Sequence, residues 1–233
     1  MSVVAVVLQA RMGSTRLPGK ALETLSGLSL LGHCIRRLQG SAVGPVVLAT
    51  TTNDEDDALA AEADRLGVSV YRGSDADVLE RFVEAADRVG ASSVVRATGD
   101  NPAVDVGSAV RLVNILARGG VDHAVEAGLP YGSTVEALTF AALQNAAERA
   151  HSVADREHVT TFIRRPHSGF RCAIVPAPAA LWRPDLRFTV DTPDDLAYMR
   201  RVMASAERAG EGGAPLTALI AAADRLGPRQ EVA

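Results

Sequence analysis

Along this 233-residue chain, short apolar runs alternate with longer stretches whose apolar positions recur every three or four residues. Residues 3–8 are apolar throughout and rich in β-branched side chains, as in a parallel strand buried on both faces. The same reading predicts strands at 45–50, 68–71 and 93–97. Helical spacing appears at 28–38, 57–66, 76–89 and 106–117. Strands that alternate with helices in this way form βαβ units with right-handed crossovers, hence a mostly parallel sheet covered on both faces.

The pattern loosens after Val121. Residues 121–137 contain Gly128, Pro130 and Gly132 and predict a short hairpin or a lid. Helices are expected at 139–150, 156–164, 193–208 and 216–226, and strands at 171–175 and 186–190. A flexible joint is expected at 210–214, and the last residues read as disordered. The expected organisation is one domain over 1–210 and a C-terminal helix and tail over 211–233. Trp182 and Phe188 read as core, and His33, His123, His151 and His167 as structural or exposed.

Composition narrows the class. Hydrophobic residues make up 47% and charged residues 22%, which fits a globular chain with a real core. The net charge of −4 argues against broad nucleic-acid binding but permits a local basic pocket. Cys34 and Cys172 make neither a disulfide framework nor a zinc spacing, and suit a reducing cytoplasm. The N-terminus lacks a basic region and reads as a first strand rather than a signal peptide. No apolar run approaches the roughly 20 residues of a membrane span.

Chemistry concentrates just after the first predicted strand, in Gln9-Ala10-Arg11-Met12-Gly13-Ser14-Thr15-Arg16-Leu17-Pro18-Gly19-Lys20. In open α/β sheets, ligands bind at this carboxyl edge. Arg11, Arg16 and Lys20 place three cations in ten residues, among two glycines and two hydroxyls. A polyphosphate suits such a loop. Lys20 is the one lysine beside 23 arginines. Its compact ammonium on a flexible stem can enter a gap that a planar guanidinium cannot. The Walker spacing is absent, because five residues separate Gly13 from Gly19 and Ala21 follows Lys20; Gly-x-Gly-x-x-Gly is absent too.

Two aspartates follow later strands. Asp100 lies in Arg96-Ala97-Thr98-Gly99-Asp100-Asn101-Pro102, placed to hold a metal. In Asp191-Thr192-Pro193-Asp194-Asp195, Thr192 reads as a helix N-cap, Pro193 as its first residue and Asp195 as the capping-box acid. That leaves Asp191 without a local role. Two carboxylates and phosphate oxygens make a typical hard-cation site. Ser74-Asp75-Ala76-Asp77 contains an Asp-x-Asp pair, but Ser74 and Asp77 also have capping-box spacing before an apolar helix. Residues 54–57 read as a helix N-terminus whose acids complement its dipole.

The segment from Val6 to Lys20 closely resembles the opening of the cytidylyltransferase family, which includes the CMP-sialic acid and CMP-Kdo synthetases. Family-like segments recur to about residue 200, and within the family the chain resembles the branch of the spore-coat polysaccharide proteins of the SpsF type. The resemblance implies a three-layer α/β fold of the nucleotide-diphospho-sugar transferase type (GT-A-like, Rossmann-like). It implies transfer of CMP from CTP to a hydroxyl of a sugar acid or related acceptor, with Mg²⁺ held by Asp100 and Asp191. Gln9, Ala10, Arg11, Gly13, Ser14, Arg16, Lys20, Arg72, Gly73, Thr98 and Asp100 would contact the nucleotide. Lys20, Arg16 and Asp100 would be catalytic. Arg156-Glu157-His158 resembles a segment near the acceptor, so Glu136, Arg156 and His158 would face it. His158 could position the acceptor hydroxyl or contact its carboxylate. Thr134 stands where relatives often carry an acid. A homodimer through 121–180 is implied as well. The alternatives are a glycosyltransferase using Asp75 and Asp77, and a nucleotide-binding module without catalysis.

Overall fold

In the computed structural model, residues 3–206 and 214–227 are described. The first apolar run forms β1 (Val4–Gln9), where Ala5, Val6, Val7 and Leu8 have no exposed surface. A small hairpin, β2 (Thr24–Leu25) and β3 (Leu28–Ser29), precedes α1 (Leu30–Gly40). Then come β4 (Val46–Thr51), α2 (Asp57–Arg65), β5 (Ser69–Gly73), α3 (Val78–Asp87), β6 (Ser93–Thr98) and α4 (Val106–Ala117). The second half holds β7 (His123–Ala127), β8 (Glu136–Thr139), α5 (Phe140–Arg149), α6 (Val153–Glu157), α7 (Thr161–Arg164) and β9 (Cys172–Pro176). It closes with α8 (Pro193–Ala206) and α9 (Leu216–Leu226).

Seven strands make one sheet in the order β5-β4-β1-β6-β8-β7-β9, in which β8 alone runs antiparallel to its neighbours. Alternation along β1 sorts the two faces. Val6 and Leu8 pack under α1, α2 and α4 with Ile35, Leu59 and Leu112. Ala5 and Val7 pack under α3 and α5 with Phe82 and Leu143. Each fully buried large side chain contributes about 1.5–3 kcal/mol by leaving water. A third cluster joins α8 and α9 to Phe188 and Val190. The expected three-layer, mostly parallel fold is therefore observed. No helix among the described residues is long and apolar enough to cross a membrane.

Several expectations change. Of the two readings for residues 121–137 the hairpin is the one observed, and it lies inside the main sheet as β7 and β8. The helix expected at 156–164 is broken into α6 and α7 around Val159, a fully buried residue with a φ of 50°. The strand expected at 186–190 is an extended segment that splits its bonds between two loops. Phe188 N–H donates to Tyr131 O (2.7 Å) and Val190 N–H to Asp100 O (2.9 Å). Gly132 permits the first contact, since a Cβ there would stand 2.4 Å from Thr189 N. The small hairpin delays α1, which Ser29 caps through Gly32 N–H at 2.9 Å. Trp182 is not core: it is half exposed and lies over Gly128. The expectations for 207–208, for 210–213 and for the tail from 228 onward lie outside the described residues.

Candidate active site

The loop after β1 runs along the carboxyl edge of the sheet. Met12 is its hub, because the Met12 carbonyl accepts from Ser14 N–H (2.7 Å) and Gly19 N–H (3.1 Å). Gly19 adopts a φ of 73°, readily open only to glycine, and begins a short helical turn at Lys20. From there Lys20 reaches across the edge. Its Nζ donates to Val190 O (2.7 Å), Asp191 Oδ1 (3.1 Å) and Asp100 Oδ2 (3.2 Å). One ammonium thus bridges the aspartate after β6 and the aspartate after the extended segment 186–190.

The two aspartates are held from other sides too. Thr98 Oγ1 donates to Asp100 Oδ1 at 2.7 Å, and Asn101 Nδ2 to Thr98 Oγ1 at 2.8 Å. Asp191 takes Arg16 on Oδ1 at 3.0 Å and Arg187 on Oδ2 at 2.7 Å. Arg187 also reaches Asp195 Oδ1 at 3.2 Å and lies 4.8 Å over the Tyr131 ring. The capping box forms as expected: Thr192 N–H donates to Asp195 Oδ2 (2.9 Å) and Asp195 N–H to Thr192 Oγ1 (3.2 Å).

Two cavities meet at this cluster. A cleft of about 360 Å³ lies on the loop side, against Ala10, Arg11, Gly13, Ser14 and Gly99. A cavity of about 600 Å³ lies on the other side, against Arg96, Glu126, Tyr131, Glu136 and Arg164. Gln9, Arg16, Thr98, Asp100, His158 and Asp191 line both. Lys20 lines the first. Together the cavities can receive two reactants on either side of a pair of carboxylates.

The floor of the larger cavity is a buried charge network. Glu136, on β8, sits opposite Arg96 of β6 in the sheet register. Arg96 Nη1 donates to Glu136 Oε1 at 2.8 Å, and Thr160 Oγ1 reaches the same oxygen at 3.2 Å. His123 Nε2 lies 2.6 Å from Glu136 Oε2. Burial alone would push the Glu136 carboxyl up, but His123, the Arg96 charge and Thr160 outweigh it and hold the group at about 2. Glu136 is therefore a fixed anion rather than a proton donor. Glu126 is gripped by Arg111, whose Nη2 donates to Glu126 Oε2 at 2.7 Å.

The expected site residues divide in two. Gln9, Ala10, Arg11, Gly13, Ser14, Arg16, Lys20, Thr98, Asp100, Asp191, Glu136 and His158 converge on the cavities. Arg72, Gly73 and Arg156 do not. Arg72 is committed to Thr51 O (2.8 Å), Asn53 O (2.9 Å) and the Asp57 carboxylate. Gly73 packs against Tyr71 and Arg81. Arg156 is drawn away by Asp77 (2.8 Å from Nε) and the Ala147 carbonyl (2.6 Å). The Asp-x-Asp pair is engaged as well. Asp77 itself, rather than Ser74, is the N-cap of α3 and accepts from Glu80 N–H at 2.9 Å, while Asp75 pairs with Arg11 at 2.8 Å. Sequence reasoning missed Arg187, Arg96, Tyr131 and Arg164. The spacing of Arg187 four residues before Asp191 was one available signal.

A two-cavity site at the carboxyl edge of such a sheet, with a cation-rich first loop, defines a nucleotidyltransferase-type α/β enzyme. The cytidylyltransferase family model matches residues 5–213. The spore coat polysaccharide biosynthesis protein SpsF of Bacillus subtilis is 34% identical over 218 residues, covering 91% of this chain and 89% of SpsF. A 3-deoxy-manno-octulosonate cytidylyltransferase of Rhodopseudomonas palustris is 33% identical over 123 residues, or 51% of this chain and 49% of that protein. The solved structure of a cytidylyltransferase from Leptospira borgpetersenii superposes with a TM-score of 0.86 at 27% identity, covering 97% of this chain and 95% of that one. The chain belongs to the cytidylyltransferase family, and is a CTP-using nucleotidyltransferase.

Proposed function

We propose that this enzyme transfers CMP from CTP to a hydroxyl of a sugar acid or related acceptor and releases pyrophosphate. The observation that carries the reading is the Lys20–Asp100–Asp191 cluster at the junction of two cavities. The loop-side cleft takes the triphosphate and the larger cavity takes the acceptor. The acceptor oxygen bonds to the α-phosphorus as the bond to the β-bridging oxygen breaks. Pyrophosphate leaves with that electron pair, and the hydroxyl proton passes to solvent or a base beside it. Lys20, Arg16 and Arg11 stabilise charge growing on the leaving group.

The donor set fits a hard divalent cation. Asp100 and Asp191 offer carboxylate oxygens, and no group of three or more His, Cys, Asp or Glu exists among the described residues that would hold a metal unaided. Such a pair is completed by phosphate oxygens and water, so Mg²⁺ would be held by Asp100 and Asp191 together with the nucleotide. The cation would supply charge neutralisation on the phosphates. His158, on the wall of both cavities, orients the acceptor. Asp77 is taken up as the α3 cap, and neither Asp75 nor Asp77 lines either cavity, which speaks against a glycosyltransferase metal site there. A homodimer through 121–180 belongs to the same reading and is supported by β9, an edge strand on which Ile174 is exposed. The expected setting is cytoplasmic, in surface polysaccharide or specialised metabolite biosynthesis.

The test is pyrophosphate release with Mg²⁺ and CTP, UTP, GTP or ATP against a panel of sugar acids and phosphonates. Turnover with CTP and at least one acid acceptor is expected. A preference for UTP or GTP overturns the cytidylyl assignment.

A further inference from the structure

Asp56 has no part in the chemistry above, yet it is completely buried and forms no ion pair among the described residues. Its charge is met by donors instead. Oδ2 accepts from Thr50 Oγ1 (2.9 Å), Thr51 N–H (3.1 Å) and the Thr51 hydroxyl. Oδ1 accepts from Met12 N–H at 2.7 Å, across 44 residues of sequence. Met12 is the hub of the first loop, and its carbonyl receives the N–H groups of Ser14 and Gly19. One unbroken chain of bonds therefore runs from Asp56 through the Met12 peptide to Gly19, next to Lys20.

We propose that Asp56 is a positioning residue for the nucleotide loop. It fixes the Met12 peptide from beneath and so sets where Ser14 and Lys20 stand in the cleft. This rests on the reading that the cleft receives a nucleotide triphosphate. A carboxylate is required because two of its donors, the backbone N–H groups of Met12 and Thr51, cannot turn away. An amide in its place would aim its own N–H at one of them and leave a buried pair of donors facing each other. Thr50 provides the contrast, since its hydroxyl meets the same carboxylate from the strand side with no link to the loop.

The experiment compares Asp56→Asn and Thr50→Val in the full chain. Four quantities are read: KM for CTP, KM for the acceptor, kcat, and amide exchange across residues 12–19 without nucleotide. Asp56→Asn is expected to raise KM for CTP about tenfold, inside the roughly hundredfold that a 1 Å misplacement from outside a site can cost. Acceptor KM should stay within about twofold, and the Met12 and Gly19 amides should exchange faster. Thr50→Val should lower Tm and leave KM for CTP unchanged. An unchanged KM for CTP in Asp56→Asn overturns the proposal, and so does an equal rise in Thr50→Val. If Asp56→Asn does not fold, Met12→Pro removes the loop N–H that reaches Asp56 Oδ1 and should reproduce the rise. The exchange measurement needs no turnover. Unchanged Gly19 exchange in Asp56→Asn sinks the positioning role by itself, whereas a wild-type protein inert towards CTP sinks the functional reading alone.

Discussion

On one side of Asp100 and Asp191 the chain presents a loop, and on the other the buried floor of a sheet. The loop-side arginines are lightly held: Arg16 is 64% exposed and reaches in to Asp191, and Arg11 is 43% exposed and pairs with Asp75 at the rim. The sheet-side charges are locked in pairs, Arg96 with Glu136 and Arg111 with Glu126, and the two glutamates are almost fully buried. A triphosphate brings its own dense charge and can recruit mobile cations. A smaller acceptor needs a surface whose shape and polarity are fixed before it arrives. On the proposed function, charge stabilisation falls to the loop side and orientation to the sheet side.

The largest effects should come from the shared centre. Asp100→Ala or Asp191→Ala is expected to reduce pyrophosphate release by about 10³-fold, and Lys20→Met by about 10²-fold. Lys20→Arg tests the bridge more finely, because a planar fork cannot replace an ammonium placed 2.7–3.2 Å from three oxygens. Turnover in that variant should fall at least about tenfold; near-normal turnover would reduce the lone lysine to a compositional accident.

The sheet side should reveal itself in stability instead. Glu136 titrates at about 2 in the fold against an ordinary 4.5, so its contribution is fully present above pH 4.5 and is lost as pH falls toward 2. That contribution is on the order of 3 kcal/mol. Wild-type Tm should drop across this window, and Glu136→Gln should begin lower and vary less there. A Glu136→Gln profile parallel to wild type would break the contrast between the two cavities.

Smaller effects follow outside the centre. Asp77→Ala removes the α3 cap and the Arg156 partner, at a cost of about 1–2 kcal/mol by denaturant titration, with turnover kept within about threefold. Tyr131→Ala removes the ring beneath Arg187, an interaction of about 0.5–1 kcal/mol, and should raise acceptor KM a few-fold without changing KM for CTP. An equal rise for both substrates would show that the two sides are not separate.

Much of the loop side was legible in the sequence because its signals are local. The apolar run before Gln9, the crowding of charge and glycine through Lys20, and the Thr192–Asp195 box lie within short windows. Asp191 stood out because the box explained its neighbours and not itself. The sheet side was harder to read. Glu136 lies within a central strand, where a buried acid contradicts strand pattern until Arg96, 40 residues earlier, is seen beside it. Arg156 carries the same charge whether it faces an acceptor or Asp77, and only packing chooses. The break at Val159 runs against propensity, since a β-branched residue resists a positive φ, so no local pattern predicts it. Asp56 looked like one of several acids at a helix start, and its bond to Met12 exists only once β1 and β4 are paired.

The most direct test is metal-dependent pyrophosphate release from CTP, measured side by side in wild type, Asp100→Ala and Asp75→Ala with an accepted sugar acid. The account predicts robust release in wild type and Asp75→Ala and near-complete loss in Asp100→Ala. Loss in Asp75→Ala with retention in Asp100→Ala would contradict it and move the chemistry to the Asp-x-Asp segment.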